Sequence, residues 1–383
     1  MRMTSKARRR RLAQGVCTVA VVALGGASLG GTSGASTPRS GGPFLANFHT
    51  ITPIASTVPS LGSGKAGNGD VNPYGVAVVP RSTGDLVAGD VLVSNFNDSA
   101  NAQGTGRTIM QVSPAGKSSL FANLAGQVAG PIGLTTALSV FANGDVVVGS
   151  LPTTDGTAAT ATAGALYVLN STGKVIETIK GGDVNGPWDM TSYDGGKFGV
   201  LFVTNVLNGT VAAKGKPVTK GNVVRIVLDF SVSPPKVDQE FVVATGFGEE
   251  TSAAALVIGP TGLALAPNGT LYVADTLANR IADIPDALFR YTPFGKGSTV
   301  STGGFLNAPL GVALAPNGDV LSVNGGNGYI VETTPKGVQN EWIYLDTTGS
   351  PPGSGALFGL AVQPGDKGVY FVDDDENSLN LFH

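Results

Sequence analysis

The sequence predicts an all-β fold, a six-bladed β-propeller, on three observations. A glycine-anchored unit recurs along the chain, with Gly262, Gly311 and Gly359 spaced 49 and 48 residues apart. The two clearest copies, at Gly262 and Gly311, read as two short strands around a Pro-Asn-Gly turn. Composition agrees: 56 glycines and only 13% charged residues favour strands and tight turns over helices, while 42% hydrophobic residues exclude a disordered chain.

The N-terminus does not share this pattern. Arg2, Lys6 and Arg8 to Arg11 form a basic head without an acid, Val16 to Leu24 is apolar, and small residues lead to Ser33-Gly34-Ala35. That order reads as a signal peptide over residues 1–35, followed by a flexible segment at 36–43 and a propeller at 44–383. The apolar run is shorter than the roughly 20 residues a membrane-spanning helix needs. The expected location is therefore secreted, either extracellular or in the cell envelope. Without the leader the chain carries 18 basic against 27 acidic residues and no cysteine. A net charge of −9 speaks against nucleic-acid binding, and disulfides and thiol nucleophiles are absent from the mature part.

The unit itself has a physical logic. In Gly259-Pro260-Thr261-Gly262-Leu263-Ala264-Leu265-Ala266-Pro267-Asn268-Gly269, bulky Leu263 and Leu265 alternate with small Ala264 and Ala266. Small residues suit a crowded inner strand beside a central channel. Thr270 to Ala274 then carries the β-branched and aromatic residues of a second strand. Further turns at Pro114-Ala115-Gly116, Ser171-Thr172-Gly173 and Pro335-Lys336-Gly337 separate third and fourth strands, which makes each unit a blade. Looser copies start at Tyr74-Gly75-Val76, Ile132-Gly133-Leu134 and Trp188-Asp189-Met190, for a total of six with Asp189 in the glycine position. The last unit ends after three strands, at Phe382, and Phe44 to Thr52 alternates suitably to supply the fourth. An N-terminal strand thus closes the last blade and removes an open sheet edge.

Ending in Asp275 and Asn279-Arg280-Ile281, blade 4 resembles the NHL repeat nearly throughout, and blades 5 and 6 resemble it clearly. The resemblance implies a propeller with function gathered on the face that carries the connections into the inner strands and the loops after the second strands. On that face the sequence places candidate ligand-binding residues Tyr74, Trp188, Asp189, Glu249, Glu250, Asp275, Asn324 and Phe358. Trp188, with Tyr74 and Phe358, suggests either an aromatic-lined mouth for a sugar, peptide or protein surface or a plug in the channel.

Two enzyme classes use similar propellers. Gluconolactonase- and regucalcin-like enzymes hold a divalent metal in the channel, with one ligand just before the repeat glycine. Here those positions are read as Tyr74, Ile132, Trp188, Thr261, Leu310 and Phe358, none a carboxylate. Lyases resembling the streptogramin B lyase use a histidine base, but beyond the leader the chain has only His49 and His383, neither placed as a channel base. Asp373, Asp375 and Asn377 alternate in a manner that offers oxygens to a calcium ion, or else form a solvated loop tip. No other cofactor is expected. The sequence therefore favours a monomeric, secreted, non-catalytic propeller that binds a protein or glycan at the channel-mouth face; a metal-dependent lactonase-like hydrolase or a lyase on that face is the alternative.

Overall fold

A computed structural model describes residues 42–60 and 69–383. The expected leader and all but the last two residues of the 36–43 segment lie outside the described residues. Six antiparallel sheets follow one another along the chain. Their innermost strands are Val71–Val78, Leu134–Val140, Pro187–Asp194, Pro260–Leu265, Pro309–Leu314 and Leu357–Val362, which line one channel as blades 1 to 6. Five sheets have four strands. Blade 3 has a fifth, Leu256–Ile258, beyond its long outer strand Lys236–Ser252. Each blade packs its neighbour through apolar faces. Val200, Phe202 and Val223 of blade 3, for example, meet Leu263, Leu271 and Val273 of blade 4.

The ring explains the repeat glycines. A Cβ placed on Gly262 would strike the Leu310 carbonyl of the next blade, one on Gly311 the Phe358 carbonyl, and one on Gly359 the Tyr74 carbonyl of blade 1. Neighbouring inner strands thus approach within the space of a methyl group, and the last contact joins blade 6 to blade 1. Gly311→Ala is expected to cost about 3 kcal/mol or more, because a backbone carbonyl cannot move aside as a side chain can. Urea unfolding measures this; a loss under about 1 kcal/mol would show that the ring can spread.

Register corrects the reading of blade 2. Leu138 pairs with Val148 as Val76 pairs with Val93 and Leu263 with Val273, so Ala137 holds the glycine position and Thr136, not Ile132, precedes it. Gly133 lies four residues earlier and packs against Gly104 in a loop of blade 1. The ring therefore contains four glycines, Ala137 and Asp189.

The N-terminal strand closes blade 6, as expected, but further along the chain than Phe44 to Thr52. Ile51–Ser56 is the strand, with Ile51 opposite Phe382 and Ser56 opposite Ser378. The residues from Phe44 form instead a buried turn: Phe44, Leu45 and Phe48 point into the blade 5–6 core, with Phe48 edge-on to Phe382 at 5.7 Å. Glu332 of blade 5 fixes this turn. Its two carboxylate oxygens accept the Phe44 and Leu45 N–H groups at 2.7 and 2.8 Å. His383 is tied to the closing strand: its backbone exchanges two hydrogen bonds with Thr50 and its Nε2 meets Thr52 Oγ1 at 2.8 Å.

Candidate functional site

The upper face carries the connections into the inner strands and the loops after the second strands. Three of the candidate residues, Tyr74, Trp188 and Phe358, occupy equivalent positions just before the ring residue of blades 1, 3 and 6 and therefore converge on the axis. Tyr74 stacks on Phe358 at 3.9 Å and on Phe96 at 4.6 Å, and Trp188 lies 6.4 Å from both Tyr74 and Phe358. All four rings are buried. Of the two sequence readings of Trp188, the geometry is that of a plug.

An arm of blade 3 covers this plug. The Trp188 indole N–H donates to the Val257 carbonyl at 3.2 Å, and Leu256, with a φ of 59°, packs in the same cluster. Gln103 from the blade 1 loop holds the arm from the far side, its amide donating to the Ala253 and Ala254 carbonyls at 3.1 and 3.3 Å.

The acids separate into distinct environments. Asp189 lies in the ring below the plug. One oxygen accepts the Met190 N–H at 2.8 Å and the other the Leu263 N–H at 3.2 Å. Burial pushes its carboxyl up to about 7, against the pull of those two donors. It lines a cavity of about 40 Å³ with Thr136, Gly311 and Gly359, and the channel widens at the lower end to a vestibule of about 320 Å³. Glu249 is 0% exposed beneath the turn at Thr210–Ala213; Asn208 donates to one oxygen at 3.4 Å and the other has no partner. Burial raises it to about 7, offset in part by Asn208 and by the charge of Lys220. Glu250 is half-buried in the strand pair with Ile258.

The remaining candidates are engaged in the frame. Asp275 accepts the Arg280 guanidinium at 2.8 Å in a buried ion pair, and Asn324 donates to Phe305 and Asn327. Asp373 accepts the Glu376 N–H, Asp375 is exposed and meets Thr348 Oγ1 at 3.4 Å, and Asn377 accepts the Asn72 N–H at 2.8 Å. The three calcium candidates are thus each engaged by a different partner. Among the described residues no three His, Cys, Asp or Glu side chains gather as a metal site.

Asp374 lies within the run Asp373 to Asp375 that the sequence sets on this face, but is not among the candidate residues drawn from it. It corresponds to Phe96, Leu151 and Val206, each one position after the polar residue that faces the start of the inner strand (Asn95, Ser150 and Asn205) in blades 1, 2 and 3, and those three pack in the plug's own cluster. Asp374 therefore faces the mouth, where its charge acts on Tyr74. Burial, reinforced by Asp375 and Asp373, raises its carboxyl to about 8, and its Oδ1 has no partner.

The open space on this face is off the axis. The connection at 124–133 frames a trough over blades 1 and 2. One part, of about 410 Å³, is lined by Arg107, Ile132 and Thr154; the other, of about 440 Å³, by Gln127, Tyr167 and Lys180. Val128 and Pro131 form the saddle they share. Arg107 and Lys180 are exposed. Asp98 at one end is committed to its own loop, accepting the Ala100 and Ala102 N–H groups.

The sequence matches no protein-family model and no curated protein. Solved structures are similar in fold. A gluconolactonase from Xanthomonas campestris is 14% identical with a TM-score of 0.51, over 87% of this chain and 95% of that one. The aldose sugar dehydrogenase of Streptomyces coelicolor, in its PQQ-bound form, is 14% identical with a TM-score of 0.53, over 87% and 97%. A calcium-binding protein, regucalcin, from Agrobacterium tumefaciens is 15% identical with a TM-score of 0.52, over 82% and 90%. The neighbours are thus propellers of the gluconolactonase and regucalcin kind, and at these identities the likeness is one of fold. The divalent metal that this fold family implies on the axis does not fit the residues here. Aromatic rings fill the mouth, and the ring carboxylate below them already receives a backbone N–H on each oxygen.

Proposed function

We propose that this chain is a secreted, NHL-type propeller that binds a protein or glycan without transforming it, and that the ligand sits in the trough over blades 1 and 2. One observation carries the reading: the axial mouth is closed by Tyr74, Phe96, Trp188 and Phe358, whereas the trough offers open, mixed polar and apolar walls on the same face. Thr154, Thr178, Arg107 and Lys180 supply its polar groups, and Val128 and Pro131 supply an apolar ridge. Filling the saddle with Val128→Trp is expected to weaken a ligand found on oligosaccharide or peptide arrays at least about tenfold, or about 1.4 kcal/mol, with little change in melting temperature. Unchanged affinity in that variant would remove the trough from the account.

The comparisons favour a second reading, a lactonase-like hydrolase on the same face. The neighbours named above include a gluconolactonase, and Asp374 supplies a chemical handle, an acid held protonated near neutral pH beside the Tyr74 ring. Hydrolysis of glucono-lactone, measured with and without added divalent cations and lost in Asp374→Asn, would replace the binding reading with this one.

A further inference from the structure

The lower face, which carries the hairpin tips between first and second and between third and fourth strands, holds a feature that neither reading uses. The tip at residues 285–297 of blade 4 presents Phe289 at 75% exposure, Tyr291 at 58% and Phe294 at 38%. Tyr291 to Lys296 are exposed without a break, although the Tyr291 ring also meets Phe241 of blade 3 edge-on at 5.1 Å. On the adjoining blade 3, Tyr193, Phe198, Val232 and Val237 are also exposed at the same end. Apolar rings in this number are costly in water and mark a contact surface.

The tip is rigidly mounted. Phe294 N–H donates to the Val243 carbonyl at 2.8 Å, and Thr245 N–H donates back to the Gly295 carbonyl at 2.7 Å, which ties the loop to the outer strand of blade 3. Beneath it Arg225, itself buried, reaches the Arg290 carbonyl at 3.4 Å and lies 5.4 Å from the Tyr291 ring centre. These bonds fix the backbone of the loop against blade 3.

Charge indicates the occupant. The loop carries Lys296 and Arg290, whose half-buried guanidinium lies 4.8 Å over the Phe294 ring and donates through Nε and Nη2 to the Pro285 carbonyl, against one acid, Asp286, in a chain whose net charge is −3, or −9 without residues 1–35. Aromatic rings at a projecting tip with cations at their base are suited to a bilayer, where rings enter the headgroup–acyl boundary and cations meet phosphates. A flat protein partner would leave a projecting tip of this kind partly unsatisfied. We propose that the 285–297 tip docks this propeller on a phospholipid bilayer, with Phe289 and Phe294 inserted and Arg290 and Lys296 at the phosphate level.

Sedimentation of the full mature chain with vesicles of three parts phosphatidylcholine to one part phosphatidylglycerol tests this. The protein is expected to pellet with vesicles, and Phe289→Ser with Phe294→Ser is expected to reduce the bound fraction at least about fivefold, while Val128→Trp in the trough leaves it unchanged. A second variant, Phe289→Trp, is expected to shift its fluorescence to the blue on adding vesicles, because the indole leaves water. Failure of the parent to pellet, equal pelleting of the double-serine variant, or a self-association that the double-serine variant abolishes in the absence of lipid would each overturn the proposal.

Discussion

Deleting residues 42–56 is expected to leave a chain with no cooperative unfolding transition and a strong tendency to aggregate. Three losses coincide. Strand Ser378–Phe382 would lose its partner Ile51–Ser56 and present an open edge to solvent. Phe44, Leu45 and Phe48 would vacate the blade 5–6 core, and at roughly 1.5–3 kcal/mol for each buried side chain their removal rivals the 5–15 kcal/mol by which a whole domain is stable. Glu332 would keep a buried carboxylate without the two N–H groups it now receives. Size-exclusion chromatography and a thermal melt followed by circular dichroism measure the outcome. A deletion variant that remained monomeric and melted within a few degrees of the parent would show that the ring holds without its closing strand. Phe44→Ser with Leu45→Ser separates the contributions, since it keeps the strand and removes only the buried turn.

Blades 4 to 6 were legible because each states its geometry twice, in a glycine that a neighbour's carbonyl presses against and in a turn such as Pro267-Asn268-Gly269 that only a hairpin needs. Blade 2 was misaligned by four residues for a physical reason. Ile132-Gly133-Leu134 imitates the unit, but Gly133 answers a close approach to the Gly104 loop, while Ala137 is small enough to take the ring position. The closing strand was placed too early because Phe44 and Leu45 read as strand residues, and nothing local announces that a glutamate nearly 290 positions away will bend them into a turn.

The site was legible as positions and not as a surface. Equivalent positions in a repeat must meet at the axis, so Tyr74, Trp188 and Phe358 could be brought together from spacing alone. Whether they are open depends on the arm at 253–258, which belongs to an insertion outside the repeat, and on its hold by Gln103 from two blades away. The trough was invisible for the same reason: it is framed by a connection, 124–133, that obeys no motif. Repetition thus reports the frame, while the departures from repetition decide which parts of it a ligand can reach.

One such departure, Asp189 in the ring, makes stability depend on pH in a direction opposite to ordinary acid unfolding. Its carboxyl ionises near 3.8 in the open chain and about 7 in the fold, because burial disfavours the charge. Between those values the folded state holds a proton that the unfolded state has released, so stability falls as pH rises, by about 1.4 kcal/mol per pH unit for one such group. The loss attributable to Asp189 is on the order of 4 kcal/mol once pH exceeds 7. Asp374, raised to about 8, and Glu249, raised to about 7, act in the same direction. Urea midpoints are therefore expected to fall steadily from pH 5 to pH 8.5. Asp189→Asn removes the titration but places an amide N–H₂ against the Leu263 N–H or the Met190 N–H, forfeiting one hydrogen bond worth about 1 kcal/mol. The variant is thus expected to be the weaker protein at pH 5 and the stronger at pH 8.5, with the two curves crossing between. Parallel curves would mean that Asp189 stays charged in the fold and that the ring tolerates a buried anion without penalty.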